Sequence, residues 1–170
     1  MGSPTGPIVY DKGKYHLEAV EEYGLPEAHA YHHTVYFLRW LLENALMSEA
    51  EPFDRSSLTN DAVLKIYEWW DCCLMEDLLS DEGNAFAQHY FDFDKGRYIS
   101  DYMELLKGDL LSEFHIPLTE ENYQKLKRMV DRRFAQWKDW TQRRAGKGSQ
   151  PTSSDVPPAS PKRWWQFWRR

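Results

Sequence analysis

Cysteine is scarce in this sequence of 170 residues: there are two, Cys72 and Cys73, and they are neighbours. Adjacent residues on a helix point about 100° apart, so the pair forms no ordinary bridge there. Two small residues in a reducing compartment are the plain reading. Long apolar runs are also missing, and nothing approaches the ~20 residues that a membrane-crossing helix needs. The first residues carry no basic segment followed by an apolar one, so no secretory signal is read there. Gly6 stands where a myristoylation site wants Ser or Thr. These absences point to a cytoplasmic protein. No Gly-x-Gly-x-x-Gly, P-loop, Gly-x-Ser-x-Gly or paired-cysteine zinc spacing occurs.

What is present is aromatic and charged. Aromatic residues make up 15% of the chain, which predicts a core rich in Trp, Tyr and Phe. A length of 170 residues suits one domain that needs no disulfide or metal to fold. The net charge of −6 conceals an asymmetry. Residues 143–170 hold seven Lys or Arg and one acid, a net +6, while residues 1–142 hold 14 bases and 26 acids, a net −12. An acidic body repels nucleic acid, so no nucleic-acid partner is expected.

Apolar spacing predicts an all-α fold, an irregular bundle of four to five helices. Residues 1–14, with Gly2, Pro4, Gly6, Pro7 and Gly13, read as an irregular arm, and 15–144 as the helical domain. A short helix over 15–22 ends at Gly24 and Pro26. A central helix spans 26–47, with Tyr31, Val35, Leu38, Leu42, Ala45 and Leu46 three and four apart. The next spans 60–79, capped by Asn60, with Val63, Ile66, Tyr67, Trp70, Leu74 and Leu78 on one face. Further helices start near Asp81, behind a Ser80 or Asp81 cap, and over 97–107, closed by Gly108. The last long helix, 120–144, is capped by Thr119. Residues 145–161 are a Gly/Ser/Pro linker read as disordered, and 162–170 a tail.

That tail is the sharpest local signal. Lys162, Arg163, Trp164, Trp165, Phe167, Trp168, Arg169 and Arg170 put four aromatics among four bases. Trp favours a membrane–water interface and bases favour an anionic leaflet, so the segment suits docking at the inner membrane face. It suits equally a partner's groove, or the acidic body itself.

His29 and His33 stand four apart on the central helix and share a face if that helix is continuous. This is the spacing of two zinc-binding histidines, without the Glu of the His-Glu-x-x-His pattern. A third ligand would come from Asp71, Glu76 or His89. Read plainly, they are surface or packing histidines, and no cofactor is required. Asp92-Phe-Asp94-Lys-Gly96 fails as a calcium loop, because Met103 occupies the twelfth position. Acids gather at Asp61, Glu68, Asp71, Glu76, Asp77, Asp81 and Glu82. They read as a solvated face, as acid–base groups if buried in a cleft, or as a surface for a basic partner.

Several segments together resemble a family of small bacterial proteins known as a domain of unknown function. They are Tyr15-His16, the run from His33 through Tyr36, Phe37 and Leu38 to Trp40, Glu82-Gly83-Asn84 with Phe86 and Tyr90, Tyr98 with Asp101-Tyr102, and Asn122-Tyr123 with the run from Asp131 through Phe134 to Lys138. The style is similar to that of acidic helical proteins encoded beside bacterial toxins as their inhibitors. The resemblance makes His33, Glu82, Asn84 and Asp101, with the acidic Asp71, the candidate partner-binding set. The same residues would serve equally to cap helices and satisfy buried groups. The expectation is a non-enzymatic binding protein, in its most specific form an immunity-type inhibitor of a basic toxin. A metal-dependent hydrolase using His29 and His33 is the first alternative, and a membrane adaptor acting through the tail the second.

Overall fold

A computed structural model describes residues 6–49 and 57–147. The linker from 148 onward and the tail, Lys162 to Arg170, lie outside the described residues. Among the described residues, six α-helices and one small antiparallel sheet build the domain: β1 (Val9–Lys12), α1 (Leu17–Glu22), α2 (His32–Glu43), α3 (Asn60–Trp69), β2 (Cys73–Met75), α4 (Asp81–Tyr90), α5 (Tyr98–Leu106) and α6 (Glu120–Lys147).

Helix α2 is the hub. Every residue from His32 to Leu42 is buried, the polar His32, His33, Thr34 and Arg39 among them. Helix α3 and the long α6 pack against it, and α6 also contacts α4 and α5. The core is aromatic. Phe37 lies 4.5 Å from Phe91, Phe86 lies 4.9 Å from Phe134, and Tyr36 stacks on Tyr123 at 6.1 Å, measured between ring centroids.

Two expectations fail, so the fold is mostly helical and not all-α. The arm over 1–14 contains β1, and the helix expected over 60–79 stops at Trp69. Asp71 and Cys72 then take left-handed backbone, φ 55° and 50°, which no α-helix admits. The chain turns into β2, which pairs with β1 through Val9↔Met75, Asp11↔Leu74 and Lys12↔Cys73. The apolar period that seemed to carry the helix on to Leu74 and Leu78 belongs to a strand and a 3-10 turn.

The central helix also differs from its expected form. Residues Glu27–Ala30 form a 3-10 turn, and the α-helix starts only at His32. Thr59 caps α3, accepting from the Ala62 N–H at 3.1 Å, which frees Asn60 to accept from Arg39 at 2.8 Å. Ser80 caps α4 as expected. Helix α6 continues to Lys147, three residues into the segment expected as linker.

The sheet is small, but its register matters for chemistry. It shifts between Val9 and Asp11, as at a bulge. An unbroken strand sends successive side chains to opposite faces. Here the neighbours Tyr10 and Asp11 are both buried, which a bulge permits. A carboxylate thus enters the core beside α2.

Candidate functional site

Asp11 lies in a sealed polar centre, and its carboxylate is wholly buried. Its Oδ1 is 2.7 Å from Nε2 of His16, the residue that leads into α1. Its Oδ2 accepts from Thr34 Oγ1 at 2.5 Å and from the Tyr67 hydroxyl at 3.4 Å. His33 Nε2, from the first turn of α2, lies 3.4 Å from the same Oδ2 but makes no aligned hydrogen bond. The rings of Phe93 and Phe114 approach within 6.2 Å of the His16 ring, so apolar surface encloses the group.

Electrostatics agree with that geometry. Desolvation would raise the Asp11 pKa, but the charge and hydrogen bond of His16, with His33 close by, outweigh it and hold the carboxyl ionised, far below its ordinary range. Burial pushes the His33 pKa down, offset only in part by the Asp11 carboxylate. Among the described residues this is the one group of three whose ligand atoms lie mutually close, all within 4.8 Å.

The i, i+4 spacing of His29 and His33 presumes one continuous α-helix. The 3-10 turn breaks that geometry. His29 Nδ1 lies 2.6 Å from the Phe114 carbonyl oxygen, and its ring packs 4.5 Å from His32. His33 instead meets Asp11 and His16. Neither Asp71, Glu76 nor His89 joins them. The hydrolase expectation therefore lacks the ligand set that it assumed.

The candidate partner-binding residues are not brought together on one surface. His33 and Asp101 are buried, at 2% and 0% exposure. Asp101 accepts Arg133 Nε at 2.7 Å and Nη2 at 2.9 Å, Arg97 Nε at 3.0 Å and the Tyr90 hydroxyl at 2.9 Å. Asn84 accepts from Tyr10 at 2.7 Å and donates to the carbonyls of Glu76 and Leu79, so it ties β1 to α4. Glu82 pairs with Lys138 at 2.6 Å on the surface, where such pairs contribute little. Asp71 is exposed, on the turn after α3.

That turn carries a feature which sequence reasoning missed. Trp69, the last residue of α3, is 77% exposed. Exposed acids Glu68 and Asp71 flank it, and the exposed Glu27 lies near Cys72 beyond them. All three act on the half-buried Cys72 thiol. Burial, chiefly, pushes that thiol up; a hydrogen bond with Tyr31 opposes the rise, and the three carboxylates add to it. Trp69 falls on the solvent face of α3 with the exposed Asp61, Lys65 and Glu68.

The geometry defines a compact helical domain with a buried carboxylate–imidazole centre and an acidic, Trp-bearing corner. Residues 9–116 match the family described as domain of unknown function DUF7832, and the chain belongs to that family. The match runs from β1 to the 3-10 turn at Glu113–His115 and ends before α6. No curated protein and no solved structure matches the chain.

Proposed function

We propose that this protein is a non-enzymatic binding protein that docks on a basic protein partner through the corner at Trp69. The carrying observation is a tryptophan 77% in solvent among exposed carboxylates. Trp dominates binding energy where a partner encloses it, and flanking charge speeds encounter and selects partners of opposite sign. The net −12 of residues 1–142 favours the same partner at longer range. Its most specific form is an immunity-type inhibitor of a basic bacterial toxin, held in the cytoplasm, with the tail at Lys162–Arg170 docking on the inner membrane face or on the partner.

Affinity purification from the native host, read by mass spectrometry, tests this with three chains: intact, lacking residues 148–170, and Trp69→Ala. The expected result is a stoichiometric basic partner held by the first two and lost with Trp69→Ala. Binding by the purified pair should weaken as salt rises. A partner that holds Trp69→Ala as tightly as the intact chain would sink the assignment to this corner. Loss of the partner on removing 148–170 would move the function to the tail.

A further inference from the structure

We propose that Asp11, His16 and His33 form a binding site for one divalent transition-metal ion of the zinc class. Three elements converge to build it: β1, the lead-in to α1 and the first turn of α2. Two imidazole nitrogens and one carboxylate oxygen are the ligand types that zinc and its neighbours take, whereas calcium and magnesium prefer all-oxygen sets.

Two of the three ligand spacings fit with a small adjustment, and all three atoms lie within 4.8 Å of one another. Tetrahedral zinc with bonds of about 2.0–2.1 Å holds its ligand atoms about 3.3 Å apart. His33 Nε2 and Asp11 Oδ2 are already 3.4 Å apart. His16 Nε2 and Asp11 Oδ1, now at 2.7 Å, would part slightly as the ion replaces their shared proton. His33 supplies an independent pointer. It is 2% exposed, and its Nε2 faces the carboxylate without a hydrogen bond. A buried nitrogen in that state is costly, and coordination would satisfy it.

Supporting contacts are in place as well. Thr34 and Tyr67 both donate to Asp11 Oδ2 and so fix the carboxylate, as outer partners of ligands commonly do. With three protein ligands the fourth position falls to water. Zinc would make a bound water more acidic, and a hydroxide there would bring ion, carboxylate and hydroxide to zero net charge. The enclosing rings of Phe93 and Phe114 imply slow exchange and uptake during folding or local opening.

The test uses the full, untagged chain, stripped with chelator and titrated with Co²⁺, then Zn²⁺, with Mg²⁺ as control. One equivalent of Co²⁺ should bind with visible absorption, and Zn²⁺ should displace it. Zn²⁺ should raise Tm, since it binds the folded form, and Mg²⁺ should not. His33→Gln should weaken binding at least tenfold, while His29→Gln should leave it unchanged. Should His33→Gln fail to fold, X-ray absorption on the zinc-loaded intact chain decides alone: a shell of nitrogen and oxygen with two imidazoles supports the site. Sulfur in that shell, absence of stoichiometric uptake, or equal affinity in a folded His33→Gln would overturn it.

Discussion

Replacing Arg133 by Met should cost about 2–3 kcal/mol of stability. The reasoning starts at Asp101, whose carboxylate has no solvent contact. Arg133 grips both of its oxygens, at 2.7 and 2.9 Å, and so ties α5 to α6. Removing one partner of a buried pair typically costs about 3–5 kcal/mol, because a charge is left uncompensated. Two features reduce that figure here. Arg133 is 28% exposed, and Arg97 still donates to Oδ1 at 3.0 Å from a position 39% exposed. Methionine keeps the aliphatic stem, so the loss reports charge more than packing. Urea unfolding followed by far-UV circular dichroism at pH 7 gives the number, with m unchanged. Asp101→Asn alone should cost about 1–2 kcal/mol, as one hydrogen-bonding group remains. The double variant should cost less than the sum, because the buried charge is gone. A cost below about 1 kcal/mol for Arg133→Met, or strict additivity in the double variant, would refute the view that this pair is a buried electrostatic lock.

Three further outcomes follow from single groups. Burial chiefly pushes His32 down to about 4 and outweighs its hydrogen bond to the Ile116 carbonyl, so His32 is neutral in the fold while the unfolded chain binds a proton below about 6.5. With chelator present, stability should therefore be full above pH 6.5 and fall as pH drops towards 4, by up to about 1.4 kcal/mol per unit; His32→Gln should flatten that slope, measured by urea midpoints across the range. Gly83→Ala would set a Cβ 2.3 Å from the Leu46 backbone oxygen, and backbone cannot swing aside, so a loss of about 1–3 kcal/mol should appear in thermal melts. Asp71→Gly relieves a left-handed residue and should stabilise by up to about 1 kcal/mol while weakening partner binding, as expected where strain serves a surface; unchanged binding would detach Asp71 from that surface.

Local chemistry wrote some of this fold plainly. Ser80 before an acidic turn marks the start of α4, and Thr119 followed by Glu120 and Glu121 marks the start of α6. The stripe on α2 identified the hub because a helix buried on nearly all sides repeats apolar residues at every turn. Strands of four and three residues carry no such repeat. β1 hides in a stretch rich in Gly and Pro, and its register shift places Tyr10 and Asp11 both inward, against alternation. The end of α3 at Trp69 was nearly as silent, since Asp71 signals left-handed backbone only weakly and Cys72 not at all. The buried centre was half legible: His33 and His16 stood among the residues of the family resemblance. Asp11 joins them only through sheet pairing and helix packing, and no local spacing encodes that.

The family match ends at residue 116, yet the folding unit does not. Two buried polar groups of the matched segment find main partners on α6. Arg39, on the hub helix and 6% exposed, donates to Glu120 at 2.6 Å and lies 3.8 Å over the Tyr123 ring. Asp101 depends on Arg133. Trp40 adds a third tie, its indole N–H donating to Asp131 at 2.7 Å. Helix α6 also supplies Tyr123, Leu126 and Val130, all buried, to the core. A chain ended after Ile116 would therefore expose one face of α2 and leave Arg39 with only Glu43 and Asn60, and Asp101 with only Arg97 and Tyr90, at about 1–3 kcal/mol for each lost partner. Such losses compare with the whole stability of an ordinary domain. Residues 1–116 should be unfolded or molten by near-UV circular dichroism, while residues 1–147 should melt cooperatively. A cooperative, native-like 1–116 would show that α6 is an appendage. The dependence of these buried charges on α6 argues that it is a structural wall of the domain.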